Sequence, residues 1–335
     1  MTAYVIRRIF WFIPVLFCVG LITFMIARST PGGPFDRDPT RRSLSPATEK
    51  ILRARFGMDL PVWRQFTRYM FFDIETNPKT KQPEIYWGAI GGNLGPTYAS
   101  RGSQTVQDYL FKSYSGKPSR FFYSARLGIQ ALLFALIIGM PLGVLAALKQ
   151  NTWIDYIALF ISTTFVAVPT FVSGLLLLII FAVGLGWFNV IPNWQEPIRP
   201  WVLPTLTLGM STMAFITRLT RSSVLEIKRH DYVRTARAKG LGDMAVNLRH
   251  ILRNALLPIV TIMGPLFAGL IIGAFFTELI FQIPGMGNVL LTSIGRRDYS
   301  MIIGLALFYS FILTAANLLV DLLYGVVDPR ISVTA

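Results

Sequence analysis

Charged residues are absent from several stretches of this chain that are too long to be elements of a soluble core. Residues 9–27 are uncharged over 19 positions and residues 127–148 over 22, and a third uncharged region runs from Tyr156 to Gln195. About 20 apolar residues at a rise of about 1.5 Å each cross the roughly 30 Å of bilayer hydrocarbon, so the first two stretches predict transmembrane helices. The third is too long for one span and too short for two with a loop. It predicts one long helix over 156–185, kinked at Pro169, and then an outer segment holding Pro192 and Pro197. Residues 201–217 make a more polar span, diluted by Pro204, Thr205, Thr207, Ser211 and Thr212. Hydroxyls are tolerated where helices pack on helices, so this helix is expected inside a bundle. Residues 254–277 and 299–320 complete six spans in an all-α integral membrane protein.

The remaining segments are polar. Residues 1–8 and 321–335 form the two ends, 28–126 a long loop region between the first two spans, and 218–253 a basic loop between the fourth and fifth. The first span follows Arg7 and Arg8, exceeds the apolar core of a signal peptide, and precedes no A-x-A-like site. Within 28–126, Ser45-Pro46 opens a short helix with Pro46 at its first position. A second piece near 62–72 carries Trp63, Phe66, Tyr69 and Met70 at helical spacing, as a local core, an interfacial anchor or a partner contact.

Composition sharpens the picture. Only 15% of residues are charged and 53% are hydrophobic, against the roughly 25% charged of soluble domains. The net charge of +15 would suggest a nucleic-acid partner if it lay on one soluble face. It falls instead in 28–126 and 218–253, the pattern of water-exposed loops beside a lipid bilayer, and no nucleic-acid partner is expected. The basic loop holds nine Lys or Arg against Glu226, Asp231 and Asp243, whereas 186–200 has Arg199 alone. The excess of positive charge predicts that the basic loop and both termini are cytoplasmic, with 28–126 and 279–298 outside.

Little in the chain can perform covalent chemistry. Cys18 is the single cysteine and lies in an apolar run, and the two histidines, His230 and His250, sit in the basic loop without a carboxylate cluster. Neither a disulfide nor a metal site is expected. The only Gly-Lys pair, Gly116-Lys117, has Phe111 and Pro118 where a phosphate-binding loop needs Gly and Ser or Thr. The chain is not expected to be an enzyme or to hold a cofactor.

The basic loop has a specific pattern. Asp231-Tyr-Val-Arg-Thr-Ala-Arg-Ala-Lys-Gly240 is followed by Leu257-Pro258. Small residues at Ala236 and Ala238 permit close approach of another surface, Gly240 permits a left-handed turn, and Arg234, Arg237 and Lys239 offer charge-assisted contacts. An alternative use of such a helix is to lie on anionic headgroups. Further blocks stand in order along the chain: Pro31-Gly32, Gly92-Asn-Leu-Gly95, Gly143 with Ala146-Ala147, Asp155, Glu278, Pro284-Gly-Met-Gly287, Arg297-Asp298, Asp321 and Asp328-Pro-Arg-Ile331.

Together these blocks resemble the permease subunits of binding-protein-dependent ABC importers, in their oligopeptide/dipeptide branch. The resemblance runs along nearly the whole chain. Aligned on Gly240, Arg234 takes the Glu position of the family's Glu-Ala-Ala pattern, and Thr235 and Ala236 take the two Ala positions, a variant the resembled branch commonly shows. Residues 77–91, with Lys79, Lys81 and Trp87, read as an insertion.

The resemblance implies the type I importer permease fold in a prokaryotic inner membrane. It implies as partners a homologous second permease, two cytoplasmic ATPases that bind the ATP, and an extracytoplasmic solute-binding protein. Asp231, Arg234, Thr235, Ala236, Arg237, Ala238, Lys239 and Gly240 would then couple the chain to the ATPases. Peptides are the commonest substrate of that branch, with oligosaccharide and nickel importers sharing the permease type; the residues leave the substrate and the cavity lining open. The rival from another class, a stand-alone secondary transporter, would need coupling carboxylates at mid-membrane or internal repeats. Glu278, at the outer end of a span, either marks a substrate path or anchors the outer loop through Arg296 or Arg297, and Asp321 reads as an inner anchor.

Overall fold

The computed structural model describes residues 2–30, 46–76 and 82–327. Pro31-Gly32, Ser45, Lys79, Lys81 and the block Asp328–Ile331 lie outside the described residues. In chain order the elements are α1 (Thr2–Ser29), α2 (Pro46–Arg55), α3 (Val62–Met70), β1 (Phe72–Thr76), β2 (Pro83–Trp87), α4 (Val106–Phe111) and α5 (Arg120–Leu148). Then follow α6 (Trp153–Ala167), α7 (Thr170–Leu177) with a π-helical continuation Leu178–Gly184, α8 (Val202–Lys228) and α9 (Asp231–Ala238). A π-helical turn, Val246–Leu252, leads to α10 (Leu257–Gly273), α11 (Phe275–Ile280), α12 (Met286–Arg296) and α13 (Tyr299–Val327). Among the described residues five helices are long and apolar enough to cross a membrane, and the α6–α7 pair raises the number to as many as six.

Three parts differ from the sequence expectation. The single helix expected over 156–185 is two helices bent by 101°. Pro169 lacks an N–H, and its ring forces the preceding residue out of helical geometry. Val168 (ψ 122°) and Pro169 (ψ 138°) are accordingly both extended, which swings the chain much further than a proline kink.

The fourth helix does not stop at residue 217 but continues to Lys228, so residues 218–228 belong to α8 and the basic loop begins only after them. Thr220, Ser223 and Val224 are buried in this extension while Arg218, Glu226 and Lys228 leave the core. Amphipathic helix had the same charge density as a loop. Of the membrane-length helices, α8 is also the most enclosed, 56% of its apolar window being buried against 11–33% for the others. That burial suits its hydroxyl-rich sequence.

The 279–298 segment, expected as a loop, contains α12. Met286, Gly287, Val289 and Ser293 are its buried face, and Arg297 ends it in the left-handed conformation (φ 55°).

The described chain divides into two compact units. One comprises Ser124–Ile283 and the chain from Ala315. Its α5 and α8 approach so closely that side chains are excluded. A Cβ on Gly139 would lie 2.7 Å from the Met213 carbonyl oxygen, and one on Gly143 would lie 2.5 Å from that of Thr217. Ala131, Ala135 and Ala147 continue the same four-residue spacing and are fully buried, the small-residue contact by which membrane helices pack.

The other unit comprises Thr2–Tyr123 and Pro284–Thr314. Phe24, Phe66, Met70, Tyr299, Ile303 and Leu307 form its core. The aromatic stripe of α3 therefore splits: Phe66 and Met70 face inward while Trp63 is 68% exposed. Strands β1 and β2 pair antiparallel, Phe72 with Trp87 and Ile74 with Ile85, so the inserted segment forms part of a hairpin whose apolar face is exposed. Asp298 caps α13 by accepting the Met301 N–H at 3.1 Å and also accepts the Ala99 N–H at 2.9 Å.

Candidate functional site

The segment 231–240 is a short amphipathic helix pinned at one face. Asp231 in its first turn and Arg237 in its last complement the helix dipole. Val233 and Ala236, three residues apart, are buried in a cluster with Ala147 of α5, Val224 of α8, Val246, Ile251 and Ala255. The remaining side chains of 231–239 are exposed: Asp231, Tyr232, Arg234, Thr235, Arg237, Ala238 and Lys239.

This pattern corrects one expectation. Ala236 packs into the chain's own core and is not available to another surface, whereas Ala238 is. The inward residue that sequence reasoning passed over is Val233, fully buried. Its signal was present, since Val233 and Ala236 are the apolar pair at helical spacing in an otherwise polar run.

Gly240 ends the helix. It has φ +79°, and its N–H donates to the Arg237 carbonyl at 2.9 Å while the Leu241 N–H reaches back to that of Ala236 at 3.4 Å. These two bonds are the glycine-terminated C-cap that satisfies the last carbonyls of a helix. An added Cβ at Gly240 would meet nothing within 4 Å, so glycine is required here for conformation and not for space.

The exposed charges are loosely held. Arg234 lies 3.8 Å from Asp231 and Arg237 lies 3.6 Å from Asp243, both at the surface, where ion pairs are weak and exchangeable. Tyr232 is more firmly placed: its ring stacks on His230, and its hydroxyl accepts from Asn254 Nδ2 at 3.0 Å. Ser223 Oγ donates to the Ala255 carbonyl at 2.8 Å, joining α8 to the chain that returns from the loop. The site is thus a rigid base under an exposed basic face.

Two residues flagged in the sequence acquire partners. Asp155 accepts from Arg221 Nε and Nη2 and from the Asn151 N–H. Glu278 is fully buried and accepts from Ser124 Oγ at 2.6 Å, a bond between α11 and α5.

A family model described as the inner membrane component of binding-protein-dependent transport systems matches residues 139–333, a region that holds α8, α9 and the Gly240 cap. The chain belongs to this family. It is 37% identical over 333 residues to the dipeptide transport system permease protein DppB of Bacillus subtilis (strain 168), covering 99% of this chain and 98% of that one. The glutathione transport system permease protein GsiC and the dipeptide permease DppB, both of Escherichia coli K12, are each 34% identical over 99% of this chain and 99% of theirs. Among solved structures, the MetNI methionine ABC transporter aligns with TM-score 0.50 at 18% identity, covering 62% of this chain and 94% of that one. That likeness is one of fold.

The chain is accordingly an ABC importer permease subunit of the type I fold, a multi-pass membrane protein and not an enzyme. Membership implies an ATPase and a substrate-binding protein as partners.

Proposed function

We propose that this permease forms one half of an importer for di- and oligopeptides and is driven through the basic face of α9. The observation that carries the coupling assignment is the contrast within α9: Val233 and Ala236 buried among the ends of α5, α8 and the returning chain, Arg234, Arg237 and Lys239 exposed. A push on such a helix cannot be absorbed locally, because its buried side chains interlock with close-packed neighbours. Closure of two cytoplasmic ATPases on bound ATP would displace α9 and the helix ends under it together, a rigid-body switch between two packed states.

In this reading a homologous second permease completes the pathway. The N- and C-termini and residues 229–253 are cytoplasmic, and residues 28–126 and 279–298 face the solute-binding protein outside. No covalent step and no cofactor is asked of the chain itself. The peptide assignment is supported by the dipeptide and glutathione relatives, glutathione being itself a tripeptide.

The test is uptake into vesicles carrying the assembled complex, its ATPases supplied with ATP and its solute-binding protein present. Labelled di- and tripeptides are expected to accumulate. Accumulation of an oligosaccharide or of nickel, with peptides excluded, would replace the substrate class while leaving the coupling assignment intact.

A further inference from the structure

Helices α5 and α10 touch at one end and part at the other. A Cβ on Gly128 would lie 3.1 Å from Ile271 Cγ1, and Leu266 packs against the cluster of Ala135, Met213 and Ile216. Toward the C-terminus of α5 the walls separate into an open groove of about 610 Å³. Ile137, Met140, Pro141 and Leu145 line it from α5, and Leu252 and Leu256 from the chain that enters α10. Ile137 is 65% exposed and Leu145 50%, on a helix of membrane-spanning length.

Cations stand close in sequence to the lining residues of both walls. Lys149 follows Leu145 by one helical turn, Arg253 lies between Leu252 and Leu256 in sequence, and Arg249 precedes Leu252 by three residues. All three are exposed, and among the described residues none of them makes a side-chain ion pair. An apolar trough whose lining residues stand within four positions of exposed cations, without an ion pair among the described residues, has the polarity of an amphiphile with an apolar tail and a negative head.

We infer that this groove is a site for an anionic phospholipid, an acyl chain lying along the α5 and α10 walls and the phosphate meeting Lys149, Arg249 and Arg253. Charge decides the occupant. A helix from another subunit could cover the leucines, but an apolar span would leave three cations uncompensated at the membrane surface, where basic residues favour anionic headgroups. The lipid would wedge the ends of α5 and α10 at the level where the basic loop joins them.

The experiment uses the assembled importer in vesicles containing phosphatidylglycerol or phosphatidylcholine, each with the same photoactivatable acyl chain. Labelled peptides are mapped by mass spectrometry. Phosphatidylglycerol is expected to label both 136–145 and 252–256, exceeding phosphatidylcholine by about fivefold or more. The combined Lys149→Gln, Arg249→Gln and Arg253→Gln variant should lose that excess, and Lys149→Gln alone should lose part of it if the combined variant fails to assemble. Equal labelling by the two lipids would overturn the site. So would unlabelled walls accompanied by a disulfide crosslink from Ile137→Cys to the second permease.

Discussion

Arg221 grips Asp155 through two bonds, Nε to Oδ1 at 2.6 Å and Nη2 to Oδ2 at 2.8 Å, between residues 66 apart in sequence. The carboxylate is 1% exposed and also accepts the Asn151 N–H, so the turn that starts α6 is fastened to α8 about two turns before the basic loop. The same α8 carries Val224 into the cluster beneath α9. The pair is therefore part of the frame that supports α9.

Removing one partner of a buried pair leaves an uncompensated charge, at a cost of about 3–5 kcal/mol, whereas replacing both with neutral groups costs far less. Arg221→Met should lower the thermal midpoint of the detergent-solubilised subunit markedly. Arg221→Met combined with Asp155→Asn should recover much of the loss. A double variant as unstable as the sum of the two singles would show that the bonds are not coupled.

Gly143 tests the packing of α5 on α8. With the Thr217 carbonyl 2.5 Å from a Cβ, Gly143→Val must push the helices apart, and overpacking of this kind costs about 1–3 kcal/mol. Gly269, where a Cβ would meet nothing within 4 Å, serves as the control. Gly143→Val is expected to reduce assembled complex in the membrane, and Gly269→Ala to leave it unchanged. Equal yields from the two would refute the close contact.

Much of this organisation was legible from charge and spacing. The uncharged runs at 9–27, 127–148 and 299–320 lie inside α1, α5 and α13, because a helix that faces lipid must dispense with charge along its length. What escaped was decided by backbone geometry and by distant partners. Hydropathy does not register that Val168 and Pro169 are both extended. It reads Arg218, Arg221 and Lys228 as loop, although Arg221 is half-hidden against a carboxylate that no spacing rule connects to it. In the candidate site the composition of 231–240 announced an exposed basic helix, but the inward turn of Ala236 depended on Val224, Val246 and Ile251, which only the fold brings together.

Gly240→Pro should separate hydrolysis from transport. Proline holds φ near about −65° where the chain needs +79°, and it removes the N–H that caps Arg237. The helix end would be lost while the spans remain inserted. ATP hydrolysis by the complex is expected to continue with uptake reduced by an order of magnitude or more, while Gly240→Asn, which tolerates the left-handed region, retains most uptake. Normal uptake in the proline variant would remove α9 from the coupling route.

Asp298 makes the start of α13 sensitive to pH. Burial pushes its carboxyl above the ordinary value of 3.8, against the opposing pull of the Ala99, Met301 and Tyr98 backbone bonds and of Arg296. A raised folded-state value means that the folded protein holds the proton more tightly than the unfolded chain. The resulting stabilisation is complete below 3.8 and is lost as pH rises through the raised value. Relative to Asp298→Asn, the wild type should gain thermal stability as pH is lowered from neutrality toward that window. A difference that does not change with pH, or that shrinks in acid, would contradict this account.

The central claim is that partner ATPases hold this permease by the exposed face of α9, and its most direct test is co-purification of the complex in mild detergent. The wild-type chain is predicted to bring down its ATPases, and Arg237→Glu with Lys239→Glu to lose most of them while keeping the second permease. Undiminished recovery of the ATPases with the reversed charges would contradict the claim.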